Sequence, residues 1–219
     1  MLDKELQDEF ISIIREELVP AMGCTEPIAL AYAAARGREV LGCEPERIIA
    51  KCSGNMIKNV RCVTIPNSGG LTGIETACIL GGLAGDASAG MEVLEKVGEA
   101  ERARARELLD KGCCRVEFLD SEIPLHFIIE LSAAEHVVEV EVRHTHTNVV
   151  SVVRDGNVIF EKPRELADKG YSTDRSRLTL ENIKSFADEV DLALIRDIYE
   201  RQIRYNMDIA YEGISGDYG

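Results

Sequence analysis

Two stretches of small apolar residues constrain this chain more than anything else in it. "EPIALAYAAARGREVL" (26–41) and "GLTGIETACILGGLAG" (70–85) are dense in alanine and glycine. Helices with so little side-chain bulk bring their backbones close to their neighbours. The second is apolar almost all round and is therefore expected to be buried on most sides. Thr25 reads as the cap of the first helix, Pro27 suits its first turn and Gly42 stops it. There is no Trp, and aromatic residues make up only 5% of the 219 positions, so the core must be built from Ala, Val, Ile and Leu.

The remaining elements follow from periodicity. Residues 3–18 place Leu6, Phe10, Ile13, Ile14 and Leu18 at helical spacing. "RIIAKC", Arg47 to Cys52, reads as a short strand, and Glu92 to Lys111 as a charged amphipathic helix. After Gly112 the texture changes to β-formers: "CRVEFL", "HFIIELSA", "HVVEVEVRH" and "NVVSVVRDGNVIFE", with "RDGN" as a hairpin turn. Pro163 to Thr179 is a polar connection. Thr179 then caps a helix with Ile183 and Phe186 inward. Asp191 caps a last helix whose stripe runs Leu192, Ile195, Tyr199, Ile203 and Met207. The expected class is α+β: a mostly helical body with an antiparallel sheet of about four strands in the second half. Residues 1–112 and 162–219 form a glycine-rich, catalytic-type helical body, and 113–161 the β segment.

Charge excludes some functions. Thirty-nine acidic residues against 25 basic ones give a net charge of −14, which repels phosphate backbones and anionic membrane surfaces. No apolar run reaches the roughly 20 residues of a membrane helix. The start, "MLDKELQDEF", is acidic and amphipathic, unlike a signal peptide. Seven cysteines include no CxxC pair, and most sit in apolar strings, as expected of reduced thiols in the cytoplasm.

Four segments carry groups capable of chemistry. Cys24-Thr25-Glu26 opens a helix. There the helix dipole favours a thiolate, making Cys24 a nucleophile or soft-metal ligand, unless the triplet merely caps the helix. "SGNMIKN" places Ser53, Asn55, Lys58 and Asn59 after a strand, where they either bind a carboxylate or form a polar loop. "IPNSGGLTG" sets Gly69 and Gly70 before a helix starting near Leu71. That is either an anion-binding turn or a tight glycine turn, and it lacks the GK[ST] ending of a phosphate loop. "RHTHTN" offers His144 and His146 on one face of a strand, as a metal pair, an acid/base, or ordinary exposed histidines.

Together "GCTEPIALAYAAA", "SGNMIKNV", "VTIPNSGGLTGIE" and "HTN" resemble the L-cysteine desulfidase family, related to the α-domain of iron–sulfur L-serine dehydratases. The matches run in order over most of the first 150 residues. The resemblance implies an α,β-elimination: a base removes the Cα proton, sulfide or water leaves, and the enamine hydrolyses to pyruvate and ammonia. It implies a [4Fe–4S] cluster on three cysteines whose open iron acts as Lewis acid, with Cys24 as the first ligand. Thr25, Ser53, Asn55, Lys58, Ser68, Gly69 and Gly70 then become candidates for holding an amino-acid substrate. Lys58 and His146 are the candidate catalytic groups, with His146 in proton transfer.

Family members are longer, and their other two cluster cysteines lie in a C-terminal half. The expectation is therefore an N-terminal half, inactive and without cluster by itself. Its missing half or a partner chain carries the further cysteines, and it forms a homodimer through no specific motif. Two other readings stand beside it: a non-catalytic module binding a small anion or amino acid, and a structural subunit that oligomerises through its alanine-rich helices.

Overall fold

The computed structural model describes residues 3–217. The chain divides into two compact units, one of residues 21–171 and the other of residues up to 20 together with those from 172 onward.

In the larger unit, α2 (Thr25–Leu41) and α4 (Gly73–Ala84) are the two small-residue helices, and both are buried along nearly their whole length. Gly42 ends α2 in a left-handed conformation, its N–H on the Arg38 carbonyl. The two helices touch backbone to backbone. A Cβ added to Gly81 would lie 2.2 Å from the Ala31 carbonyl oxygen and 2.6 Å from the Ala31 Cα. On its other side α2 meets the sheet, where a Cβ on Gly37 would lie 2.2 Å from Leu131 Cδ1.

The chain is α+β, as expected, but its sheet is larger than four strands and is mixed. Six strands lie in the order β2-β1-β3-β4-β5-β6, from β1 (Arg47–Cys52), β2 (Cys114–Phe118), β3 (His126–Ala133), β4 (His136–Arg143), β5 (Val149–Arg154) and β6 (Asn157–Glu161). β1 pairs parallel with β2 and antiparallel with β3, so a strand from the helical half lies inside the sheet. Nothing in "RIIAKC" names its partners, because pairing across distant strands leaves no local signal. The "RDGN" hairpin joins β5 to β6, with Asp155 and Gly156 both at positive φ, as a type I′ turn requires. Phe127, Ile129 and Leu131 of β3 and Val138, Val140 and Val142 of β4 alternate into the core. Between them run Glu130 and Glu139, on a polar face where Lys51 reaches both carboxylates, at 2.9 and 3.2 Å.

Boundaries after α4 and after the sheet differ from the sequence expectation. The charged helix α5 begins at Glu99, not Glu92, because Glu101 turns back to accept the Gly98 N–H at 2.9 Å and starts the helix there. Residues Ala87–Glu92 form a separate 3-10 turn. The connection from 163 to 179 contains a short helix, α6 (Arg164–Lys169), closed by left-handed Gly170. Its Arg/Glu/Asp/Lys surface concealed it. α3 (Gly54–Val60) follows β1 directly.

The smaller unit comprises α1 (Lys4–Glu17), α7 (Leu180–Glu189) and α8 (Arg196–Ser215). Leu6, Phe10, Ile11, Phe186 and Ile195 form its core, with the Phe10 and Phe186 rings 5.2 Å apart. Thr179 caps α7 as expected, accepting the Asn182 N–H. Ile183, expected inward, is 42% exposed, while Phe186 is buried. Asp191 caps a 3-10 turn, Leu192–Leu194, that precedes α8. Glu16 ties α1 to the segment before α7, accepting from Ser172 N–H (2.6 Å) and hydroxyl (2.7 Å), the Thr173 hydroxyl and Arg175 (3.0 Å). Partial burial pushes the Glu16 carboxyl up, and the donors from Thr173, Ser172 and Arg175 more than reverse this, to about 2. Among the described residues no helix is long and apolar enough to cross a membrane.

Two outcomes follow from this packing. Gly81→Ala forces helix backbones apart and costs about 3 kcal/mol or more in denaturant unfolding. Gly37→Ala meets only a movable leucine end and costs about 1–2 kcal/mol. Glu16 is depressed in the folded state, so its contribution is present above the unfolded carboxyl range and is lost as pH falls from about 4.5 towards 2. Glu16→Gln therefore lowers stability at pH 7 by about 1–2 kcal/mol after solvent screening, and the difference from wild type shrinks to a few tenths of a kcal/mol near pH 2, where Glu16 is half protonated. Denaturant titrations at both pH values check it.

Candidate functional site

The site is built around the first turn of α2. The residue at the N-cap is Cys24, not Thr25; Thr25 is already helical. The Cys24 side chain makes no capping hydrogen bond to the helix, so the cap leaves first-turn N–H groups without a partner from that side chain. The hydroxyl and thiol go to Glu26 instead. Thr25 Oγ1 donates to Glu26 Oε2 at 3.3 Å and Cys24 Sγ donates to the same oxygen at 3.4 Å. Asn59 Nδ2, from the last turn of α3, donates to Glu26 Oε1 at 3.2 Å. Three side chains thus converge on one carboxylate at an exposed helix start.

The electrostatics follow from that convergence. Partial burial pushes the Glu26 carboxyl up, but its own backbone N–H and the Cys24, Asn59 and Thr25 donors bring it below its ordinary value. The Cys24 thiol shifts the opposite way from the expectation for a helix N-terminus. Burial raises it, and the hydrogen bond to Glu26 and that residue's charge raise it further; its neighbouring backbone N–H groups only partly offset this. Cys24 therefore stands as a protonated thiol. Glu26 also acts on His146. Burial lowers the His146 imidazole, and the Glu26 charge opposes that shift. The His146 ring makes no hydrogen bond among the described residues. His126 and His136, by contrast, are committed to Glu141 and Asp155, both at 2.9 Å.

The histidine segment is not a strand. β4 ends at Arg143, and His144 takes φ 68°, turning the chain, so His144 and His146 do not share a strand face. The turn is held by Asn148, which donates to the Arg143 and Ala167 carbonyls at 2.8 and 3.0 Å and accepts from Lys162 at 2.6 Å.

The other sequence candidates fall into two groups. Asn55 and Lys58 are exposed on α3, with Asn55 one turn before Asn59 and so on the same face. Gly69 and Gly70 are exposed at φ 71° and 88° in a loop whose carbonyls are held by arginine: Arg102 donates to Asn67 O (2.7 Å) and Arg106 to Gly69 O (3.3 Å). That loop passes close to Gly23, where a Cβ would lie 3.7 Å from Pro66 Cγ, and α4 starts at Gly73, two residues later than expected. Ser53 and Ser68 are buried, and their hydroxyls are already engaged. Ser53 donates to Pro124 O at 2.7 Å and Ser68 to Leu71 O at 3.0 Å, anchoring their own loops. Glu26 is the member that sequence reasoning passed over, and Asn59, which the sequence offered as a binder of a ligand carboxylate, holds the Glu26 carboxylate instead. The signal for Glu26 was present in "CTEP" but read as helix-start preference.

A [4Fe–4S] cluster takes three or four thiolates. Cys24, Cys43 and Cys62 are exposed, at the N-cap of α2, just after its C-cap and just after α3. Cys52, Cys78, Cys113 and Cys114 are buried, with the Cys52 thiol pushed up to about 12 by burial. Among the described residues no group of three or more His, Cys, Asp or Glu side chains is placed to hold a metal ion. This chain by itself does not bring together the three thiolates that the cluster takes.

The chain is similar over its whole length to a protein called UPF0597 from Treponema denticola, 40% identical over 219 residues, and covers 51% of it. UPF0597 proteins from Lachnoclostridium phytofermentans and Fusobacterium nucleatum are 43% and 39% identical over 96% and 97% of the chain, which covers 50% of each. The chain thus spans about half the length of the curated relatives it matches. No family model matches it, and no solved structure does.

Glu26→Gln tests the shared carboxylate in one step. It removes the charge that raises both Cys24 and His146, so both pKa values fall. Alkylation of Cys24 at pH 8, followed by peptide mass mapping, speeds up severalfold, and the NMR titration midpoint of His146 moves lower. No change in either would show that Glu26 does not govern the pair.

Proposed function

We propose that residues 21–171 carry the substrate-binding and proton-transfer part of a cytoplasmic amino-acid lyase that eliminates the β substituent of L-cysteine or L-serine. The observation that carries this reading is the Glu26 carboxylate at the start of α2, held by Cys24, Thr25 and Asn59, whose charge reaches the His146 imidazole. An imidazole held neutral by burial, its one unprotonated ring nitrogen able to accept, suits abstraction of a Cα proton near neutral pH. Glu26 stabilises the imidazolium that results. Asn59 and Thr25 fix the Glu26 carboxylate, and the exposed Asn55 and Lys58 offer a donor and a cation for the substrate carboxylate. The proton from Cα passes to His146, and the C–S or C–O bond breaks as the Cα–Cβ double bond forms, its electron pair leaving on sulfur or oxygen, which takes up a proton and departs as hydrogen sulfide or water. The enamine tautomerises and hydrolyses to pyruvate and ammonia. Seven free thiols agree with the reducing compartment proposed.

In this reading Cys24 is one thiolate ligand of a [4Fe–4S] cluster. The remaining thiolates belong to polypeptide beyond this chain, either as a continuation or as a partner subunit. The test is anaerobic reconstitution with iron and sulfide, on this chain alone and on the chain joined to its genomic continuation, followed by assay of sulfide and pyruvate from L-cysteine and L-serine. The expected result is a colourless, inactive short chain and a brown, active long one. The long form loses colour with Cys24→Ala, and loses at least 100-fold in turnover but keeps its colour with His146→Ala. A colourless, inactive long form would discard the lyase reading.

A further inference from the structure

The smaller unit is unfinished on one side. α8 runs for 20 residues, yet Ile198 is its only buried residue among those described. Seven large apolar side chains on it are exposed, from Tyr199 at 37% to Ile209 at 72% and Ile214 at 84%. At about 100° per residue they form two stripes. Tyr199, Ile203, Met207, Tyr211 and Ile214 make one; Tyr205 and Ile209 flank Ile198 in the other. Gln202, Asn206 and Gly213 separate the stripes on one side and Arg201, Arg204 and Asp208 on the other, so the two stripes lie on nearly opposite faces of the helix. A helix on a protein surface shows one apolar stripe; one with apolar stripes on two opposite faces has a second face to cover. Alongside the first stripe lies an apolar groove of about 720 Å³, lined by Phe10, Ile14, Ile183, Phe186, Tyr199 and Ile203.

We propose that α8 and this groove are the docking surface for the polypeptide that the curated relatives carry beyond the length they share with this chain. Two observations choose that occupant. The α8 of a second copy, laid along one stripe, would leave the other bare, whereas a folded domain packs on both sides of a helix. The Treponema denticola relative matches the chain from end to end, α8 included, and has about as much polypeptide again, enough to supply such a domain. The inference does not rest on the lyase reading, since docking needs neither cluster nor substrate.

The experiment joins the full chain to the part of the Treponema denticola relative outside the match, in that relative's own order. A second fusion uses the Lachnoclostridium phytofermentans relative. Covalent linkage raises the effective concentration and so tolerates an imperfectly matched surface. Hydrogen exchange of the α8 amides and binding of the dye ANS are compared with the unfused chain, whose mass is measured by light scattering. The expected result is a monomeric unfused chain that binds ANS and exchanges rapidly along α8. In both fusions α8 exchange slows at least 10-fold and ANS binding is lost. Ile209→Glu and Ile203→Glu reverse this without changing exchange in residues 21–171, while Arg201→Glu on the polar arc leaves docking intact. An α8 that stays unprotected in both fusions would overturn the proposal. So would an unfused dimer dissociated by Ile203→Glu, which would assign the surface to a second copy.

Discussion

Everything in the larger unit depends on two helix backbones being allowed to touch. At Gly81 there is no space for a single carbon between α4 and the carbonyl of Ala31. α2 is therefore clamped between α4 on one side and the Leu131–Val140 surface of the sheet on the other. With no bulky side chain at the Gly81–Ala31 contact to reshuffle, the position of α2 along its axis is set there by backbone contact. The orientation of its first turn, where Glu26 gathers Cys24, Thr25 and Asn59, is fixed by the same contact. A site at the end of a clamped helix starts from a defined geometry rather than from a flexible loop.

Much of this fold was readable before any coordinates. The small-residue helices, the limits of β1, the β5–β6 hairpin and the Gly42 stop are written in local chemistry: glycine where φ is positive, alternation where a strand is half buried. What escaped was what local chemistry does not encode. β1 sits between β2 and β3 because its hydrogen-bonding partners lie far along the chain, which alternation alone cannot indicate. α6 escaped because a short exposed helix has no apolar stripe. The cap of α2 was misplaced by one residue because Thr25 is the better capping side chain; in the structure its hydroxyl serves Glu26 instead.

The site was legible as a set of segments but not as a constellation. "CTEP" and "HTN" stood out singly, and nothing in their spacing says that Glu26 acts on His146. Serine hydroxyls were overvalued. Ser53 and Ser68 look like ligand-binding donors in sequence, yet burial obliges each to satisfy itself on a nearby carbonyl. Cys24 shows the converse. The helix terminus argues for a thiolate, but partial burial of the thiol, and then the carboxylate two residues on, outweigh it.

The sheet ends at β6, whose five residues are all exposed, Val158, Ile159 and Phe160 among them. Its outer rim of N–H and C=O groups is an unfilled template onto which another extended chain can add. The register shift at Val152/Val153 twists that rim, and Glu161 and Lys162 place charge at its end. Neither device fills the open bonds, so the chain's colloidal behaviour rests on the mutual repulsion of its acidic surface. Near the isoelectric point, or in salt high enough to screen that repulsion, growth by edge-to-edge strand addition becomes the route by which this otherwise well-packed fold leaves solution.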